Sequence, residues 1–375
     1  MACAKDAGAK NAGAKGAGAA GADRIAVSYG RDPAKAAREA LLASGIGEAL
    51  RPGMRAAIKP NLVVARPACE GATTHPEVAE GILSLLSDFG IRGACIMENS
   101  AVGGRASEAF RACGYAELSR RHGARLIDLE DSPRARVSSG GISFEVCAPA
   151  LEADFIINAP VLKAHSQTLM TCCLKNLKGC IPQSEMRRFH RLGLHAPIAA
   201  LAMAVKTGWC AVDGICGDLS FEEGGSPEQA DRVIAGRCPV EVDSFCAALI
   251  GFAPEEIGYL SLAQSLGAGS FFPPGARPVE LGREGRPRAS ARGSPAADRY
   301  RALIDEDAAC SACHAALVFA LARSGAAPAG RGKIRIGQGF RGKSGKGPGI
   351  GDCARGFPPC APGCPPKALD ILPLL

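Results

Sequence analysis

Between residues 24 and 160, short apolar runs alternate with helix-like patterns, and this alternation restricts the fold more than any other feature of the chain. Residues 24–29, 55–59, 93–97, 124–129, 142–146 and 154–160 have the length and apolar content of strands. Residues 33–50, 74–89 and 107–122 repeat apolar side chains at helical spacing. Thr74 and Glu77 open the second of these with the spacing of a capping box. Phe155, Ile156 and Ile157 form an uninterrupted apolar run, as in a strand covered on both faces. Strands separated by helices build parallel sheets with right-handed crossovers. The sequence therefore predicts an α/β fold, a mostly parallel sheet with helices on both faces.

Further helical patterns occupy 166–178, 195–205, 243–251 and 254–266, with a strand at 209–212 ending at Asp213. These complete an α/β core domain over 23–266. Residues 1–22 repeat an Ala-Gly-Ala-Lys theme with no large apolar face and are expected to be a disordered tail. Residues 267–300, dense in Gly, Pro, Arg and Ser, read as a linker. The remainder, 301–375, has little apolar mass but five cysteines, and is expected to be a small ferredoxin-like iron–sulfur region.

Composition narrows the function. The 47% apolar content and mean hydropathy of +0.07 exclude a disordered polyampholyte. A net charge of +7 and only 18 aromatic residues leave no base-stacking surface, so no nucleic-acid partner is expected. No run approaches the roughly 20 apolar residues that span a bilayer, so no membrane is expected either. The odd count of 17 cysteines, with no apolar leader ahead of them, points to a cytoplasmic protein whose thiols are reduced or bound to metal.

Cys310-x2-Cys313 and Cys360-x3-Cys364-Pro365 resemble the two halves of a ferredoxin-type cluster motif, split because Ala316 stands where a third cysteine would fall. Two ligands are expected from Cys310 and Cys313, and two from Cys353, Cys360 and Cys364. Zinc is the alternative, although it does not account for the proline. The segment 337–344 matches a phosphate-loop pattern letter for letter. The Gly-Lys-Gly-Pro-Gly that follows cannot form the helix such a loop needs, so a basic turn is expected instead.

Ligands of open α/β sheets collect at the carboxyl ends of strands. Here those ends carry Lys59 and Asn61, Glu98, and Lys163 with His165, followed by Lys175, Asn176 and Lys178; Asp213 ends the strand at 209–212. Together they would line a crevice for an anionic small molecule. Lys59, Asn61, Glu98, Lys175, Asn176 and Lys178 are the expected binding residues. His165, Lys163 and Asp213 are the expected catalytic group, with His165 or a lysine of depressed pKa moving the proton. The bland alternative is a solvated lysine face.

The segments 58–61, 74–77, 161–165 and 174–179, with Val212-Asp213-Gly214, Asp243 and the Cys-Pro-Pro tail, resemble the iron–sulfur proteins catalogued as domain of unknown function 362. The resemblance runs from about residue 24 to the end. It implies a 4Fe-4S centre on an α/β core, with ligands at the positions of Cys310, Cys313, Cys353 and Cys364, leaving Cys360 spare. Ferredoxin spacing would instead choose Cys360 over Cys353. The expected function is an iron–sulfur oxidoreductase served by an external electron donor of ferredoxin or flavodoxin type. An electron carrier or redox sensor, and a non-redox acid–base enzyme with a structural cluster, are the alternatives.

Overall fold

The computed structural model describes residues 24–282, 296–325 and 332–375. The expected tail at 1–22 lies outside the described residues, as does 283–295 of the expected linker.

The fold is mixed α/β, built on a large, mostly parallel sheet. Its eight strands are β1 (Ala26–Tyr29), β2 (Ala56–Pro60), β3 (Cys95–Glu98), β4 (Arg125–Asp128), β5 (Phe155–Ala159), β6 (Trp209–Asp218), β7 (Pro227–Gly236) and β8 (Val279–Leu281), in the spatial order β8-β1-β7-β6-β5-β2-β3-β4. Strands β6, β5, β2, β3 and β4 pair in parallel. Strand β7 runs antiparallel to both of its neighbours. The alternation of β5 explains the two-sided covering: Phe155 and Ile157 pack into one core with the helices Pro33–Ala43 and Pro76–Asp88, and Ile156 packs into the other with His195–Ala204 and Pro239–Leu249.

Several local expectations are corrected. The pattern at 33–50 breaks at Gly45, which adopts φ +92°, so the helix ends at Ala43 and a short 3-10 turn follows. The pattern at 107–122 splits into Ala106–Ala112 and Tyr115–His122 around Gly114. There is no Thr74 capping box: His75 is the N-cap, Pro76 opens the helix, and the Thr74 hydroxyl instead donates to Ala159 O and accepts from Asn61 N. The expected helix at 166–178 is a hairpin, Lys163–His165 with Leu169–Thr171, then a helical turn at Cys173–Asn176. Strand β6 continues five residues past Asp213 to Asp218 and turns back into β7, a pairing that no local period announces. Part of the expected linker forms β8 on the sheet edge.

In the cysteine-rich region, the strands Ile304–Glu306, Ile334–Ile336, Gly349–Ile350 and Cys360–Ala361 pair in parallel in chain order. The helix Ser311–Ser324 packs on this small sheet in a separate apolar cluster. Of the ferredoxin-like region expected here, this small parallel sheet is what the described residues show. The phosphate-loop pattern forms a 3-10 turn at Gln338–Phe340 and then irregular chain, with no helix behind it. No helix among the described residues is long and apolar enough to cross a membrane.

Gly81 lies inside the helix Pro76–Asp88, where a Cβ would stand 2.2 Å from Ala34 O of the neighbouring helix. Helix propensity alone favours alanine by roughly 0.5–1 kcal/mol. The close approach reverses the sign: Gly81→Ala is expected to destabilise by about 1–3 kcal/mol in denaturant unfolding.

Candidate functional site

The order of the parallel strands reverses direction between β2 and β5: β2 leads through a helix to β3, whereas β5 lies on the other side of β2. Such a reversal opens a crevice beyond the strand ends. A cavity of about 90 Å³ lies there, room for roughly six to nine water-sized groups. It brings together Asn61, Glu98, Lys163, His165, Lys175, Asn176 and Lys178. Two expected members are absent from the lining. Lys59 lies beneath it, fully buried, with Nζ 2.6 Å from Glu98 Oε1 and 2.7 Å from Pro60 O. Asp213 is mid-strand and accepts from the backbone N–H of His75 at 2.7 Å, with its Oδ2 2.8 Å from His75 Nδ1. Asp213 therefore anchors the start of a helix and does not orient His165.

Two further expectations change in role. Both Glu98 oxygens are engaged, Oε2 by Leu62 N and Oε1 by Asn99 N and Lys59. Glu98 thus organises the loops after β2 and β3. The Asn176 amide donates to Lys59 O, Pro60 O and Asn158 Oδ1, tying its segment to the ends of β2 and β5. Gly179 passes so close that a Cβ there would stand 2.0 Å from Glu98 Oε1 and 2.6 Å from Lys59 Nζ. This close approach explains the glycine that ends the Lys-Asn-Leu-Lys-Gly motif.

The lysines of the crevice differ in their surroundings. Lys163 Nζ donates to Ala72 O and Glu222 O at 2.6 Å each. Lys175 Nζ lies 3.2 Å from Thr171 Oγ1, and Lys178 Nζ lies 3.4 Å from His190 Nε2. Among the described residues no carboxylate pairs with Lys175 or Lys178. Burial pushes Lys163 and Lys178 down to about 8. Burial and then the charge of Lys178 hold Lys175 well below the ordinary lysine range. His165 and His190 are held far below the ordinary histidine range by burial and by Lys175 and Lys178, so both are neutral at pH 7. His165 Nδ1 accepts from Gln167 N at 3.1 Å, which leaves the proton on Nε2, 3.9 Å from Glu222 Oε1. A neutral imidazole with a proton on Nε2 can donate a hydrogen bond to a bound anion, while its other nitrogen is already taken by Gln167 N.

The sequence did not reveal His190, Glu222 or Glu223. The last two arrive on the β6–β7 loop, which fully buried Asp218 shapes by accepting from Ser220 N, Phe221 N and Ser226 N. An Asp followed by Ser and Gly residues is the available turn signal, hidden here by the expectation that the strand ended at Val212.

A second cavity adjoins the first. It is lined by Cys310, Cys313, Cys353 and Cys364, with Gln338, Arg341 and glycine backbone, and Cys360 is not in its lining. Cys310 N-caps the helix Ser311–Ser324 and lines both cavities. Gln338 Nε2 lies 3.6 Å from Cys310 Sγ, and Arg341 Nη2 lies 3.4 Å from Cys353 Sγ. Burial and then the neighbouring sulfurs push the Cys310 and Cys313 thiols up, so a cation among them would relieve both effects. No three of these four sulfurs lie within 4.8 Å of one another. Among the described residues the one group that meets that limit is Cys172, Cys173 and Asp243, where the Asp243 carboxylate accepts from Cys173 N and Leu174 N at the start of a helical turn.

The profile of the family described as Domain of unknown function (DUF362) matches residues 56–248. The chain belongs to this family. The DUF362 match contains every crevice residue expected from the sequence, from Lys59 to Asp213, and ends before the cysteines of the second cavity. The Thylakoid-associated protein sll1697 of Synechocystis sp. (strain ATCC 27184 / PCC 6803 / Kazusa) is 28% identical over 207 residues. The alignment takes 54% of this chain and 63% of that relative, so this DUF362 chain spans less than two thirds of its length. The lactate racemase apoprotein from Thermoanaerobacterium thermosaccharolyticum superposes with a TM-score of 0.40 at 14% identity, over 62% of this chain and 57% of that one.

Charged lysines are what an anion would meet in the crevice. Sulfate, whose charge is constant across this range, should raise the melting temperature of the wild type more than that of Lys175→Ala at pH 7. The sulfate effect on the wild type should itself fall as pH rises through about 8, where Lys163 and Lys178 lose their protons. The ligand-free protein should do the opposite. Between pH 8 and the ordinary lysine value near 10.5 the unfolded chain binds more protons, so intrinsic stability rises with pH.

Proposed function

We propose that the four-cysteine cavity holds a 4Fe-4S cluster and that the protein is an oxidoreductase acting on a small anion in the adjoining crevice. The observation that carries this reading is Cys310, which belongs to the lining of both cavities. Spacing favours a cluster over a single ion. Four sulfurs on one zinc at about 2.3 Å would stand about 3.8 Å apart, whereas no three of these fall within 4.8 Å. The amide of Gln338 and the guanidinium of Arg341 approach the sulfurs as donors, the contacts that stabilise cluster thiolates. When bound, the cluster would supply single electrons. Lys175 and Lys178 bind the anion, Lys163 fixes the two loops around it, and His165 holds the proton at Nε2. A single one-electron centre requires a donor or acceptor outside the chain, of ferredoxin or flavodoxin type. All 16 described cysteines are free of disulfides, which suits a reducing cytoplasm.

The extent of the DUF362 match favours a second reading. Because it covers the crevice and not the cysteines, the crevice chemistry can be acid–base, with the cluster as an accessory that braces the helix starting at Ser311.

Anaerobically prepared protein should contain about four iron and four sulfide per chain. One zinc and no iron after reconstitution overturns the proposal. Cys353→Ser should lose the iron and Cys360→Ser should keep it, measured by metal analysis and visible absorbance; the reverse result would assign the fourth ligand to Cys360. Reducing the cluster without any change in turnover would select the acid–base reading.

A further inference from the structure

The crevice contains polar atoms that an anion alone would not satisfy. Asn61 Oδ1 and Asn99 Oδ1 are buried and have no hydrogen-bond partner, and both residues line the cavity. The orientation of Asn99 is fixed, because its Nδ2 donates to Glu130 Oε2 at 2.8 Å and to Ile181 O at 2.9 Å. Its Oδ1 therefore cannot exchange places with the nitrogen, and it remains an acceptor awaiting a donor. Nearby donors are already engaged: Lys59 by Glu98 and Pro60 O, and Lys163 by two carbonyls. Elsewhere in the same lining the polarity is opposite. Among the described residues no carboxylate pairs with Lys175 or Lys178, and His190 accepts at Nε2 from Lys178 and Ser311 N, which leaves an unpartnered Nδ1 to donate.

We propose that the substrate is an acid that also carries a hydrogen-bond donor, a hydroxyl or a protonated amine, a few bonds from its anionic group. The anion meets Lys175, Lys178 and His190, and the donor meets Asn61 and Asn99. This rests on the anion-binding reading above and narrows it. Water can satisfy the two carbonyls in the free protein. A ligand that displaces that water must bring a donor of its own or leave the carbonyls buried and unpaired. A bare dicarboxylate or alkyl phosphate offers only acceptors there, so it satisfies one part of the lining and opposes the other. A site built around a hydroxyl rejects the analogue that lacks it more strongly than an apolar pocket rejects a methylene.

Matched pairs test this by titration calorimetry: malate and aspartate against succinate, and glycerol 3-phosphate against propyl phosphate. In at least one set the donor-bearing member should bind at least about tenfold more tightly, the ratio expected when a buried carbonyl loses its partner. Asn61→Leu should reduce that ratio to within about threefold while the deoxy analogue keeps its affinity. Lys175→Ala should weaken every member of the set. Equal or tighter binding of the deoxy analogues by the wild type, or no binding of any probe, overturns the proposal. Iron content separates this outcome from the redox reading. Protein without iron that retains the preference would defeat only the oxidoreductase proposal, and iron-loaded protein without the preference would defeat only this one.

Discussion

Lys59 and Glu98 end two adjacent parallel strands with their charges 2.6 Å apart and almost no exposure to water, 0% and 3% for the two side chains. Burying two ions carries a desolvation cost that their attraction offsets only when the remaining lone pairs and protons are used. Here they are used: Glu98 accepts two backbone N–H groups and Lys59 donates to Pro60 O. One carboxylate therefore sets the loop that leaves β2 and the loop that leaves β3, and Gly179 is obliged to pass without a side chain. Asn61 and Asn99 owe their positions to this pair. Burial raises the Glu98 pKa and the adjacent ammonium lowers it, so the carboxylate depends on Lys59 to remain ionised.

Above that floor the balance of charge is deliberately incomplete. Three lysines and two histidines share a space in which burial opposes every positive charge, and among the described residues no carboxylate lies within ion-pair distance of Lys175 or Lys178. Such a group destabilises the empty protein and favours whatever anion enters, which is the usual tension between a binding site and the fold that carries it. The cysteine cavity has the same character with the sign reversed. The Cys310 and Cys313 thiols resist ionisation through burial and the charge of neighbouring sulfurs, and a cationic group would offset both effects. The start of the helix at Ser311 is where these two unfinished regions meet.

The strand–helix alternation was legible in the sequence because apolar periodicity is local, and it led directly to the parallel strands β2 to β5. The cationic residues at the strand ends were legible for the same reason, since a parallel sheet brings its carboxyl ends to one edge. Errors arose where local pattern and long-range pairing competed. Residues 166–171 share the helical periodicity of 166–178 but lie in a hairpin, so only the end of that segment is helical, and Val212 appeared to end a strand that β7 extends to Asp218. His190 gave no signal, being one histidine on an otherwise amphipathic helix, Gln183–Leu192.

The sequence by itself determined the fold class, the set of lysines from which the crevice is built and the five cysteines from which four could be drawn, because each follows from residue type and short spacing. Tertiary structure decided which members of those sets meet. It turned Asp213 toward His75, buried Lys59 under the crevice, and brought Cys353 beside Cys310, Cys313 and Cys364 while leaving Cys360 outside. It also delivered Glu222 from the far end of a hairpin. The physical reason is common to all of these. Contact between residues separated by tens to hundreds of positions depends on strand order and loop path, and spacing along the chain does not encode either.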